Sequence, residues 1–165
     1  MVRLLQLKMV FFVCLLFAAS CAPASPTPEP VSRFTDSDPD FEEAVRQAQN
    51  TLHVFRQAII SPRSAYSLAS LKIRFTQDGE SEDMWTEPIS ILDDVYTVRM
   101  VEGVPLKQGI HPDRLVDVRL EDIVDWMLLE EDGTVIGGYT LRLEYERMTP
   151  EEQERYLEIT GYRFE

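Results

Sequence analysis

Apolar residues recur at helical spacing through Phe41, Val45, Ala48, Leu52, Phe55 and Ile59, while Arg46, Gln47, Gln49, Asn50 and His53 occupy the other side. That period predicts one amphipathic helix. Asp38 stands where an N-cap is needed, Pro39 suits the first turn, and Pro62 stops the helix after Ser61. The period then changes to two. Leu71, Ile73 and Phe75 alternate with Ser70, Lys72 and Arg74, and Asp78-Gly79 supplies a two-residue hairpin turn that returns the chain through Met84-Trp85-Thr86 to Pro88. A third strand is predicted over 95–101, a loop over 103–112 and a fourth strand over 116–120. A second hairpin is predicted from 123–130 and 135–145, around a turn centred on Asp132-Gly133. Thr149-Pro150-Glu151-Glu152 has the form of a capping box opening a last helix through Ile159, with Glu151 and Arg155 spaced to support each other. The pattern predicts an α+β domain: a mostly antiparallel sheet of about six strands, an N-terminal amphipathic helix and a short C-terminal helix.

Hairpin register assigns side chains to faces. In the first hairpin, Leu71, Ile73 and Phe75 share a face with Met84, and Lys72 and Arg74 share the other with Asp83, Trp85 and Glu87. A tryptophan on the charged side is covered by another element, stacked under the Lys72 stem, or presented to a ligand. In the second hairpin, a two-residue turn sets Trp126 opposite Tyr139 and Asp125 opposite Thr140. Those rings either fill core or join Trp85 on one accessible concave patch, and Gly137-Gly138 beside them marks a bulge or a close approach. The candidate binding surface is therefore Asp83, Trp85, Asp125, Trp126 and Tyr139.

Ahead of this domain, Arg3 and Lys8 precede an uninterrupted apolar run over 9–19, closed by Ala18-Ala19-Ser20-Cys21. The order is that of a secretory leader. The run is well short of the roughly 20 apolar residues that span a bilayer. With a cysteine directly after the small residues, the segment resembles the lipobox of bacterial lipoproteins, which implies a diacyl modification at Cys21 after removal of residues 1–20. Four of the ten prolines lie between Pro23 and Pro30. Residues 21–37 are therefore expected to be an extended stalk, with a single domain over 38–165. The implied location is extracytoplasmic and lipid-anchored. Ala22 after the cysteine favours an outer membrane where the host has one.

Charge and composition narrow the chemistry. The chain carries a net −13, and without Arg3 and Lys8 it has 14 basic against 29 acidic residues, a net of −15. Such a field repels phosphate backbones, so nucleic acid is not an expected partner. Cys14 and Cys21 are the only cysteines, which leaves the domain no disulfide and no thiolate chemistry. His53 and His111 do not make a His-Glu-x-x-His helix, and there is no Gly-x-Ser-x-Gly elbow or phosphate-cradling glycine loop. Asp36-Ser37-Asp38-Pro39-Asp40 imitates half an EF-hand, but Phe41 stands at its glycine position and Gln47 at its glutamate position. No cofactor or metal is expected. The leading expectation is a membrane-tethered binding or envelope-interaction module whose partner is an envelope protein or a small ligand. The alternative is a hydrolase of an envelope polymer that uses Asp122, Asp125 and Glu82 as general acid and base; it requires two carboxyls converging at roughly 5 to 9.5 Å.

Three segments carry a further likeness: Glu82-Asp83-Met84-Trp85, then Asp122-Ile123-Val124-Asp125-Trp126-Met127, then Gly133 with Gly137-Gly138-Tyr139-Thr140-Leu141-Arg142. Together, over roughly 67–143, they resemble the bacterial YegJ-like domains of unknown function, the DUF2314 group. The resemblance implies no known reaction or cofactor.

Overall fold

The computed structural model describes residues 38–61, 66–77, 79–101 and 114–164. The leader, Cys21, the stalk, Pro62, Asp78 and the loop expected over 103–112 lie outside the described residues. Helix α1 spans Pro39–Ile60. Asp38 caps it by accepting from the backbone N–H groups of Asp40 and Phe41, and Pro39 occupies the first turn, where a missing N–H costs nothing.

Six strands follow: β1 (Tyr66–Gln77), β2 (Glu80–Leu92), β3 (Val95–Met100), β4 (Leu115–Val118), β5 (Ile123–Glu130) and β6 (Val135–Gly137). They form one sheet in the order β4-β3-β2-β1-β5-β6, antiparallel throughout. A 3-10 turn, Leu120–Asp122, leads into β5. Helices α2 (Tyr139–Glu146) and α3 (Pro150–Thr160) complete the chain. The α+β expectation holds, with one helix more than the sequence pattern predicts.

The first hairpin has the expected register: Ile73 pairs with Met84, Lys72 with Trp85 and Arg74 with Asp83. Its tight turn needs a left-handed residue, which Gly79 supplies at φ +85°. Strand β2 continues past Pro88, where the sequence pattern ended it. A register shift between Pro88 and Ser90 absorbs the proline's missing donor.

The last hairpin departs from expectation. Glu130 N–H donates to Thr134 O at 2.9 Å and Gly133 N–H to Glu130 O at 3.1 Å, so the loop is the three residues 131–133, with Gly133 at φ +89°. One extra loop residue shifts the register by one: Met127 faces Gly137 and Leu129 faces Val135. The strand expected over 135–145 also ends at Gly137, and the chain turns into α2.

Two apolar clusters hold these layers together. The larger joins Ala48, Leu52 and Phe55 of α1 to Leu71, Ile73, Tyr96, Val98, Val118, Ile123, Trp126 and Leu128 of the sheet. On the other side Met127, Val135 and Leu141 pack with Trp85, Leu129, Tyr156, Tyr162 and Phe164. Polar ties fix the layers. The Trp126 indole N–H donates to Ala48 O at 2.9 Å, and Arg147, between α2 and α3, donates to both carboxylate oxygens of Asp38 and to Asp40. The Arg147 guanidinium holds the Asp38 carboxyl down to about 2.

Candidate functional site

The motif-like residues meet in a row across three strands. Trp85 on β2 pairs with Lys72 on β1, and Lys72 pairs with Asp125 on β5, so all three point to the face opposite α1. Next to them, Thr86, Leu71 and Trp126 form the parallel row that faces α1. Alternation therefore places Asp125 and Trp126, neighbours in sequence, on opposite faces of the sheet.

Asp125 is 0% exposed, and each oxygen of its carboxylate accepts two hydrogen bonds from the protein. Oδ1 accepts from the backbone N–H of Trp126 at 2.8 Å and of Tyr139 at 3.1 Å; Oδ2 accepts from the N–H of Thr140 at 2.7 Å and its hydroxyl at 2.8 Å. Tyr139 and Thr140 are the first residues of α2, whose own N-cap, Gly138, has no side chain to offer. A strand carboxylate thus caps the helix from outside, with its charge at the positive end of the dipole. The Thr140 hydroxyl in turn accepts from Lys72 Nζ at 3.2 Å, and Lys72 also reaches Glu144 at 3.3 Å and stands 5.7 Å from the Trp85 ring centre. Burial pushes the Asp125 carboxyl above its ordinary value, against the opposing pull of the Thr140 and backbone donors and of Lys72.

Chemically this is a closed network. Two hydrogen bonds reach each Asp125 oxygen, so a substrate could engage the group only by displacing one of these donors. Asp122 has a similar local duty, accepting from the Arg119 backbone N–H at 3.0 Å. Among the described residues no three His, Cys, Asp or Glu side chains gather as a metal-binding group.

The concave patch expected from Asp83, Trp85, Asp125, Trp126 and Tyr139 is not formed. Asp125 and Trp126, at 0% and 1% exposure, are interior residues and lie on opposite sheet faces. Asp83 is held by Arg74 through two hydrogen bonds of 2.7 and 2.8 Å. Tyr139 does meet Trp126, edge to face with ring centres 6.1 Å apart, but it does so from the first turn of α2 and not from a strand. Trp85 is half-buried beneath the C-terminal aromatic cluster and beside Lys72, combining two of the three fates open to it in the sequence. Trp85→Ala is expected to cost about 1–3 kcal/mol in urea denaturation, between a surface change and a full core deletion. A loss below ~0.5 kcal/mol would mean that the C-terminal layer does not cover this ring in solution.

The expected pairing of Asp125 with Thr140 is present as two hydrogen bonds, while sequence reasoning missed Lys72 and Glu144 as members of the same network. The register itself held the clue, since a lysine centred between Trp85 and Asp125 on a covered face must find a counter-charge.

Comparison with known proteins places the chain without assigning it a reaction. No curated protein and no solved structure matches it. The profile of an uncharacterised protein conserved in bacteria, DUF2314, matches residues 38–164, which include every described residue. The strand row and the Asp125 cap are therefore features of a member of that group, and the chain belongs to the DUF2314 family.

Proposed function

We propose that this protein is a lipid-tethered, extracytoplasmic interaction module rather than a hydrolase. The observation that carries the reading is the sealed Asp125 carboxylate, the central member of the acid–base set Asp122, Asp125 and Glu82. Three of its four accepted hydrogen bonds cap α2 and the fourth comes from the neighbouring N–H of Trp126 on β5. The hollow beside His53 and Arg56 and the one beside Tyr96 and Arg119 are not lined by Glu82, Asp122 or Asp125. The motif-like segments build the scaffold, and recognition falls to the surface that it displays. The tether rests on the leader and the lipobox-like cysteine, with the outer membrane as its destination where the host has one.

Two measurements test the proposal. Cys21→Ser should abolish labelling by an alkynyl fatty acid and release the protein from the membrane fraction, with an unchanged thermal melt of the domain. Equal labelling of wild type and variant would refute the anchor. Incubation with purified envelope polymer should yield no soluble fragments; release that Asp122→Asn abolishes would establish the hydrolase instead.

A further inference from the structure

A hollow of about 420 Å3 opens between the start of β3 and the 3-10 turn, lined by Asp94, Val95, Tyr96, Arg119, Leu120 and Glu121. Its size falls within the roughly 300–1,000 Å3 of small-molecule sites. Tyr96 forms its floor. The residue is 4% exposed and its ring belongs to the larger core cluster. Its hydroxyl makes no hydrogen bond among the described residues, yet no fully buried polar side-chain atom there lacks a partner. The hydroxyl is therefore not fully buried, and Tyr96 is part of the lining of the hollow.

The rim carries both signs of charge. Arg119 and Glu121 have side chains 75% and 69% exposed and stand 3.9 Å apart, too far to satisfy each other by a hydrogen bond. Asp94 is positioned by Arg56 of α1, which donates to Asp94 Oδ1 at 3.2 Å and to the carbonyl of Asp93 at 2.5 Å. Val95 and Leu120 present aliphatic surface between these groups.

We propose that this hollow binds a small zwitterion with an aliphatic body, of the amino-acid type. The ligand's carboxylate takes Arg119 and the Tyr96 hydroxyl, its ammonium takes Glu121 and Asp94, and its aliphatic part rests on Val95 and Leu120. A ligand of one sign leaves half the rim facing like charge, which is what selects for a molecule with both. The inference rests on the interaction-module reading in naming a ligand for it, and it does not depend on the anchor.

The test is a titration of the full-length chain in detergent, methyl-labelled at Val and Leu and followed by NMR. The probes are L-leucine, 4-methylpentanoate without the ammonium, and isopentylamine without the carboxylate. Leucine should shift the methyls of Val95 and Leu120 and bind at least about tenfold more tightly than either analogue, as expected for one charge-assisted contact. Arg119→Gln and Glu121→Gln, both at exposed positions, should each weaken leucine by about tenfold, and Tyr96→Phe should weaken it as well. Equal affinity for the three probes, shifts confined to other methyls, or no shift at all would overturn the proposal. Loss of fatty-acid labelling at Cys21 would leave this titration unchanged, so the two readings fail separately.

Discussion

Gly137→Ala is expected to destabilise the domain by at least about 4 kcal/mol, enough to remove most of the stability of a typical single domain. A methyl group at this position would lie 2.5 Å from the Trp126 carbonyl oxygen and 2.6 and 2.7 Å from Cε3 and Cζ3 of its ring. The ring cannot retreat, because its N–H is bonded to α1 and Phe55 packs 5.8 Å from it, centre to centre. The backbone adds strain at φ +75°. Gly79→Ala provides the control: its φ is +85°, but nothing lies within 4 Å of the added methyl. It should cost only the left-handed penalty of roughly 1–2 kcal/mol. Urea denaturation of both variants separates strain from collision, and equal losses would mean that the Trp126 ring does not lie against Gly137.

Asp125→Ala should be comparably damaging, at about 3–5 kcal/mol, since it strips α2 of its cap and leaves four donors without their acceptor. Asp125→Asn tests the charge more finely, because it keeps the shape. The folded protein binds the Asp125 proton more tightly than the unfolded chain does, whose ordinary value is 3.8. Its favourable contribution is therefore fully present below that value and is lost as pH rises through the elevated folded one. The advantage of wild type over Asp125→Asn should shrink between acid and neutral pH in a denaturation series. Lys72 and Glu144 face the same pocket, so the series should be repeated in Glu144→Gln. A wild-type advantage that grows with pH would show that the four donors and Lys72 outweigh the burial of the charge.

Legibility followed from how local the determining physics was. The first hairpin could be read because Asp78-Gly79 fixes a two-residue turn, and every face assignment from Leu71 to Glu87 follows from it. The second could not, because Glu131-Asp132-Gly133 accommodates a three-residue loop as readily, and one residue changes the register. The helix over 139–146 was hidden for a different reason. Tyr139-Thr140-Leu141-Arg142-Leu143 alternates like a strand and is rich in strand-favouring residues, so local preference points the wrong way. What makes it helical lies elsewhere in the chain: Asp125 caps its first turn and two left-handed glycines, Gly137 and Gly138, turn the backbone out of the sheet. The same distance effect misplaced the candidate surface. Asp125 is enclosed by the first turn of α2 and Trp85 by the C-terminal cluster, and the pattern of β5 contains the position of neither.

The ties between α1 and the rest of the domain also bear on the order in which the chain can fold. Helix α1 emerges first during synthesis, yet its carbonyl at Ala48 awaits a tryptophan 78 residues later and its cap at Asp38 awaits an arginine 109 residues later. Until β5 exists, the apolar stripe from Phe41 to Phe55 lacks Ile123, Trp126 and Leu128 of the sheet that covers it. Contacts of such long sequence separation slow folding, because the entropy of closing the loop precedes any gain from the contact. A nascent chain cut short before Ile123 therefore lacks β5 and leaves part of the apolar face of its first helix uncovered, and the tie from Arg147 to Asp38 is added only after the sheet is complete.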